Sequence, residues 1–398
     1  MRWPLDEHLG SIHAVTSVGR LLSQRLHSER RQMPGTTRRS VVALFAVFLP
    51  CAATAQLADS VAVDRYVRAE MDRQHIIGLA VAVVKSGRVA HARGFGFADR
   101  DRQILATPTT VFKIGSVSKQ FLATGIMLLV QDGRVNVNDP VKKYLQDAPN
   151  SWRPIMIHNL LEHTSGILRE GPAFNPNIRQ PDINVIRSAY SARLEFGPGT
   201  QFQYCNVCYF ALAEVIARVS GKPWDVFMRE RVFAPAGMIA TATTSDSIAN
   251  RARGYDWRDD AHHVVPDWPA LRPSGAFVST VLDLARWDSV LYTGTILTRA
   301  SRDRMWTQTP LPHSRESEYG FGWFVEDVRC NTGRSADESC RVLQGRRIVH
   351  HSGALPGFRA TFTHIPRDSL TVIVLTNTDG ADPAGIARGV ASLVLRRR

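Results

Sequence analysis

Ser116-Val117-Ser118-Lys119 runs directly into the apolar segment Phe121-Leu122-Ala123-Thr124-Gly125-Ile126-Met127-Leu128-Leu129-Val130. On a helix, Ser116 and Lys119 stand three apart on one face, so an amine lies beside a hydroxyl. A serine hydroxyl is a weak nucleophile at neutral pH. A lysine activates it only if its ammonium is made to give up a proton, as partial burial at a helix start can do. The helix N-terminus also favours developing negative charge. Short S-x-x-K strings are common by chance, and most such lysines are solvated, so this stretch needs companions before it carries chemistry.

Two companions follow in the chain. The turn-forming Phe196-Gly197-Pro198-Gly199 leads to Tyr204-Cys205-Asn206, after which a helical run through Ala211, Val215, Ile216 and Val219 is stopped by Gly221. Tyr204 and Asn206, one residue apart at an irregular helix entry, can both face one cleft: a phenol to shuttle a proton and an amide to hold a carbonyl. The plain alternative is a core tyrosine and a capping asparagine. Further on, His351-Ser352-Gly353 opens a segment that alternates in polarity through Ile365. Small residues there let a substrate backbone approach a strand edge and pair with it, although an H-S-G string alone reads as a turn.

Taken together, the three motifs resemble the serine β-lactamase and penicillin-binding protein superfamily, in its class C-like branch of D-alanyl-D-alanine carboxypeptidases, D-aminopeptidases and esterases. S-x-x-K is the shared element, and Tyr-x-Asn is the form of the second motif in that branch. Gly94-Phe95-Gly96-Phe97-Ala98-Asp99, Val111-Phe112-Lys113-Ile114-Gly115, Leu160 to Gly166 (L-L-E-H-T-S-G), Ser274 to Thr280 (S-G-A-F-V-S-T) and Tyr319-Gly320-Phe321-Gly322-Trp323 look like landmarks of the same family in the expected order. The likeness covers residues 60 to 396.

The resemblance implies roles. Ser116 is the nucleophile that becomes acylated and Lys119 its proton acceptor. Tyr204 shares the base role and protonates the leaving group. Asn206 holds the substrate amide or Lys119, and His351, Ser352, Gly353 and Ala354 line the substrate strand. The backbone N–H groups of Ser116 and Ala354 form the oxyanion hole. No cofactor and no metal is implied. His351 stands where β-lactamases of this branch carry lysine, and an imidazole is cationic only part of the time near neutral pH, so recognition of a β-lactam carboxylate is expected to weaken. Cys205 departs from the serine that is frequent between Tyr and Asn. With Cys208 it spells C-x-x-C, but no βαβ pattern surrounds it, so two buried thiols are expected rather than a redox centre.

The first 32 residues show no periodic pattern. From Met33, a natural start, Thr37-Arg38-Arg39-Ser40 supplies a basic region, Val41 to Leu49 an apolar core and Ala53-Thr54-Ala55 a small-residue site. Residues 33–55 therefore read as a signal peptide cut after Ala55, which makes the mature protein periplasmic or secreted. Nine apolar residues fall short of the ~20 that span a bilayer, so no transmembrane anchor is expected. Residues 56–398 then form one hydrolase domain, ample for a large core.

The 398-residue chain carries a net charge of +13. This surplus suits anionic cell-wall polymer or a membrane surface. It is dispersed, with no basic helix or aromatic platform, so nucleic acid is not expected as a partner. Cys330 and Cys340 flank a polar insertion and are placed to bridge in an oxidising compartment, free thiols being the equal alternative. Paired histidines at 262–263 and 350–351 lack metal-site spacing.

Hairpins are expected at Leu79–Lys85 with Val89 onward and at Phe358–Ile365 with Leu370–Asn377, and Ile386, Val390, Leu393 and Val394 stripe a C-terminal helix. The fold class is thus α/β in the α+β sense: an antiparallel sheet flanked by helices, with an all-helical lobe inserted at about 117–290. The expected activity is two-step acyl transfer on an amide or ester, from a small-molecule or peptide substrate including cell-wall peptide. D-alanyl-D-alanine carboxypeptidase or D-amino-acid peptidase chemistry leads. Carboxylesterase or class C-like β-lactamase chemistry stands beside it, and a non-catalytic peptide-binding relative is the alternative of another class. Oligomeric state is not legible.

Overall fold

The computed structural model describes residues 60–312, 317–330 and 338–396. The readings of residues 1–32 as an extension ahead of the true start at Met33, of 33–55 as a signal peptide and of the cut after Ala55 fall outside these residues. The strands are β1 (Gly78–Lys85), β2 (Arg88–Asp99), β3 (Ile104–Leu105), β4 (Phe112–Lys113), β5 (Ala242–Thr243), β6 (Tyr255–Arg258), β7 (Ala261–Val264), β8 (Phe277–Ser279), β9 (Phe324–Asp327), β10 (Arg347–Leu355), β11 (Phe358–Ile365) and β12 (Leu370–Thr376). The helices are α1 (Ser60–Arg73), α2 (Lys119–Gln131), α3 (Ile157–Leu161), α4 (Asp182–Ser188), α5 (Asn206–Ser220), α6 (Trp224–Met228), α7 (Val281–Val290), α8 (Arg299–Met305), α9 (Glu338–Leu343) and α10 (Pro383–Leu395).

Seven strands form one antiparallel sheet in the order β3-β2-β1-β12-β11-β10-β9. Both expected hairpins are present. The first turns through Ser86 and Gly87, whose φ values of 51° and 72° match the two left-handed positions of a tight hairpin turn. Strand β1 is buried on both faces, which is why it reads as a continuous apolar run. Leu79, Val81 and Val83 pack with Val63 and Val67 of α1 and Ile386 and Val390 of α10. Ala80, Ala82 and Val84 join the opposite core, to which α2, α5 and α7 contribute. The C-terminal stripe thus closes one sheet face, as its spacing requires.

Helix α2 occupies the middle of the second core. Eleven of its residues are buried; Gln120 Oε1 accepts from the Trp287 indole at 2.8 Å, and Thr124 Oγ1 donates to the Gln120 carbonyl at 2.8 Å. The 117–290 segment, expected to be all helical, is helix-rich and adds four short strands, β5 to β8. One of them, β8, pairs with β4 on one side and β5 on the other in a small sheet beside the start of α2. Cys330 and Cys340 are bridged. The thiol reading of the other pair is corrected: Cys205 and Cys208 form a disulfide, because the helix entry at Cys205 brings residue 208 one turn above it, with Cα atoms 5.4 Å apart.

Candidate active site

The nucleophile sits on a turn ahead of its helix. Gly115–Ser118 form a single 3₁₀ turn that continues into α2 at Lys119. Gly115 has φ 51°, a conformation that favours glycine, and a Cβ there would lie 2.7 Å from the Ala354 nitrogen. From the other side, a Cβ on Gly353 would lie 1.9 Å from the Ile114 carbonyl oxygen and 3.1 Å from the Ser116 nitrogen. Two missing side chains therefore let the turn press against β10, with the backbone nitrogens of Ser116 and Ala354 at the point of contact. This is the pair of donors expected to receive an oxyanion. The Ser118 hydroxyl accepts the Phe277 N–H at 3.1 Å and ties the turn to β8.

Lys119 is fully buried. Its Nζ lies 3.1 Å from Ser116 Oγ, 2.9 Å from Asn206 Oδ1 and 2.8 Å from the Ser274 carbonyl oxygen. Burial pushes its pKa well below the usual lysine value, and the positive charges of Arg272 and Arg169 act in the same direction against the opposing Glu170. A neutral amine has two N–H bonds and one lone pair. The amide oxygen of Asn206 and the Ser274 carbonyl can only accept, so both N–H bonds are used there and the lone pair is left facing the Ser116 hydroxyl. The geometry is that of a base with the direction of its lone pair fixed by its neighbours.

Tyr204 lies alongside. Its ring centroid is 4.6 Å from Lys119 Nζ, and its hydroxyl is buried without completing a hydrogen bond. Burial drives the phenol far above its ordinary pKa, and the nearby Ser116 hydroxyl offsets only part of that. Tyr204 therefore keeps its proton across the physiological range, which suits a donor better than an initial base.

His351 is 1% exposed. Its Nδ1 lies 2.7 Å from the Ser352 carbonyl oxygen, which can only accept, so the proton resides on Nδ1 and Nε2 accepts from the Tyr319 hydroxyl at 3.0 Å. Burial holds it well below the ordinary histidine value. The part-time cation expected from the sequence is a neutral ring instead, because both nitrogens are engaged away from water. Beside it, Ser352 and Ala354 are exposed, as is Arg347 at the start of the strand.

Several contributors carry no motif. Asn206 Nδ2 donates to Glu170, which Arg272 grips through both carboxylate oxygens, while Arg272 Nε donates to Ser274 Oγ at 3.1 Å. The Arg169 guanidinium lies 5.2 Å from the Tyr204 ring centroid, and its carbonyl accepts the Asn206 N–H at 2.8 Å. Ser274 and Tyr319 lie in quoted landmark stretches. Glu170, Arg169 and Arg272 had no sequence signal, since their pairing spans long separations. No cluster of potential metal ligands occurs among the described residues.

Comparison with known proteins follows the same outline. The Beta-lactamase family model matches residues 63–395. The protein PbpX of Bacillus subtilis (strain 168), described as a "putative penicillin-binding protein", is 32% identical over 247 residues, 61% of this chain and 61% of its own length, so the chain spans less than two thirds of that relative. An octameric penicillin-binding protein homologue from Pyrococcus abyssi superposes with TM-score 0.73 at 25% identity, over 85% of this chain and 78% of that one. The D-amino acid amidase of Ochrobactrum anthropi SV3 shares the fold with TM-score 0.71 at 21% identity, over 84% of this chain and 100% of that one. With the family match running from α1 to the end of α10, the chain belongs to the β-lactamase family.

Proposed function

We propose that this serine hydrolase cleaves amides of D-amino acids or short peptides containing them, by way of an acyl-enzyme on Ser116. The observation that carries the reading is the three-way hold on buried Lys119, whose Nζ meets two oxygens that can only accept and, on its third side, Ser116 Oγ, so that its neutral form, which burial favours, turns the lone pair to the hydroxyl. Lys119 takes the hydroxyl proton as Ser116 attacks the carbonyl. The oxyanion is received by the N–H groups of Ser116 and Ala354. As the tetrahedral intermediate collapses, Tyr204 protonates the leaving nitrogen or oxygen and regains a proton from Lys119. Water then attacks the acyl-enzyme by the same route in reverse, and the acid leaves.

A catalytically idle peptide-binding relative fits poorly, because a binding module has no need to bury an amine against a serine. The neutral His351 disfavours an efficient β-lactamase, since no cation stands at that strand position to meet a β-lactam carboxylate. An exported enzyme of this type would meet peptide stems of the cell wall, and the likeness to penicillin-binding proteins supports that substrate class.

The test is hydrolysis of D-phenylalanine amide, L-phenylalanine amide and benzylpenicillin by the wild type and Ser116→Ala. The reading expects Ser116-dependent turnover of the D-amide exceeding that of the L-amide and of the penicillin. Preference for the L-amide or for penicillin would sink the substrate assignment.

A further inference from the structure

His163 follows α3 in the L-L-E-H-T-S-G stretch and is fully buried in a left-handed conformation, φ 63°. It makes no direct contact that the proposed chemistry uses. Its contacts bracket Tyr204. The Gln203 N–H donates to the His163 carbonyl at 2.9 Å, and the Cys205 N–H donates to His163 Nδ1 at 3.1 Å. The residues before and after the tyrosine are thus both tied to one histidine, while its ring lies 4.3 Å from the Tyr204 ring.

An Nδ1 that accepts a backbone N–H carries no proton, so the proton is on Nε2. Nε2 has no hydrogen-bond partner and is enclosed by aromatic rings, Tyr319 at 4.7 Å and Tyr209 at 5.3 Å. Burial pushes the ring's pKa well below the ordinary histidine value, in keeping with the accepting Nδ1. A polar ring kept in an apolar enclosure with one donor unpaired costs stability. The one ring atom of His163 that is hydrogen-bonded is Nδ1, and the group it holds is the backbone N–H next to Tyr204.

We propose that His163 is a positioning residue that sets the Tyr204 phenol over Ser116 by clamping the backbone on both sides of it. The inference rests on reading Tyr204 as the donor to the leaving group. It makes a specific demand: loss of the clamp should impair cleavage in proportion to how much the leaving group needs a proton.

Ethyl butyrate and p-nitrophenyl butyrate form the same acyl-enzyme, but ethoxide needs protonation to leave and p-nitrophenolate does not. His163→Asn keeps an acceptor near the Nδ1 position and tolerates the left-handed backbone. His163→Leu and His163→Gln lack an acceptor there, and the glutamine variant keeps the test open should leucine not fold. Thermal melts establish that each variant is folded at the assay temperature.

The expected result is a fall in kcat/KM of about 10²-fold on ethyl butyrate for Leu and Gln, the scale of a mispositioned general acid. On the p-nitrophenyl ester the fall is at most about fivefold, and Asn stays within about threefold on both. Added to Tyr204→Phe, the Leu change should cost almost nothing further. Equal losses on the two esters, additivity with Tyr204→Phe, or Asn no better than Leu would overturn the proposal. If Tyr204→Phe alone leaves ethyl butyrate turnover unchanged, the reading of Tyr204 fails and takes this inference with it. A slow Tyr204→Phe beside normal His163 variants refutes the clamp alone.

Discussion

Lys119 decides the chemistry through one property, an amine denied water and offered two acceptors. Its replacement by methionine keeps most of the unbranched stem and removes the amine, and we expect kcat/KM to drop by about 10³-fold, the scale of a lost general base. The pH dependence has a definite sign. The folded pKa lies below the unfolded value of 10.5, so activity rises as pH climbs through that lowered pKa and the amine becomes neutral. Between the two values the unfolded chain binds a proton that the folded chain rejects, so stability also rises with pH across this window. Melting temperatures measured from about pH 7 to about pH 10 should therefore climb in the wild type relative to Lys119→Met. A pH-independent difference would argue that the lysine is charged in the folded protein.

At this scale, the sequence showed what side chains announce and missed what backbones do. Ser116, Lys119, Tyr204 and Asn206 stand together as their motifs suggested. The Ser274 carbonyl completes the hold on Lys119, and a carbonyl has no residue-type signature. The disulfide at Cys205–Cys208 was read as two thiols because C-x-x-C spacing alone does not separate a helix-entry bridge from a packed pair. The charge of His351 was overestimated for a similar reason: the Tyr319 hydroxyl that occupies its Nε2 lies 32 residues away.

At the scale of elements, the two glycines that bring the Gly115–Ser118 turn onto β10 are the tightest constraint. A methyl on Gly353 collides with a backbone oxygen, which cannot swing aside as a side chain could. Gly353→Ala should cost about 1–3 kcal/mol, the range for overpacking, and lower kcat/KM at least about 100-fold by spoiling the oxyanion donors. Gly357→Ala, strained by its φ of 75° but on the turn between β10 and β11, is the control: it should lose stability and keep more activity. Chemical denaturation with parallel kinetics distinguishes them. Hairpins and the C-terminal stripe were legible here because their signals are local. The strands β5 to β8 were not, since two to four residues carry too little periodicity.

At the scale of the whole molecule, the seven-stranded sheet is covered by α1 and α10 on one face and by the helix-rich body on the other, with the nucleophile turn wedged between sheet and body. No helix among the described residues is long and apolar enough to cross a membrane. The Cys330–Cys340 bridge closes a short loop next to β9, and in the chain-entropy picture such a loop contributes about 3 kcal/mol. Cys330→Ser should accordingly lower the melting temperature by several degrees under oxidising conditions and leave Ser116-dependent turnover intact. Non-reducing peptide mapping that recovers the Cys330 and Cys340 peptides as one linked species, absent in the variant, checks the assignment. Expressed from Met33 in a cell with an export pathway, the mature chain should begin at Gln56 by N-terminal sequencing.

The most direct test of the central claim is rapid quench of the protein with p-nitrophenyl butyrate, followed by intact mass and peptide mapping. A transient butyryl adduct on the peptide containing Ser116, absent in Ser116→Ala and formed far more slowly in Lys119→Met, is the predicted result. Turnover with no adduct at Ser116, or an adduct on another residue that Ser116→Ala leaves in place, would contradict the account.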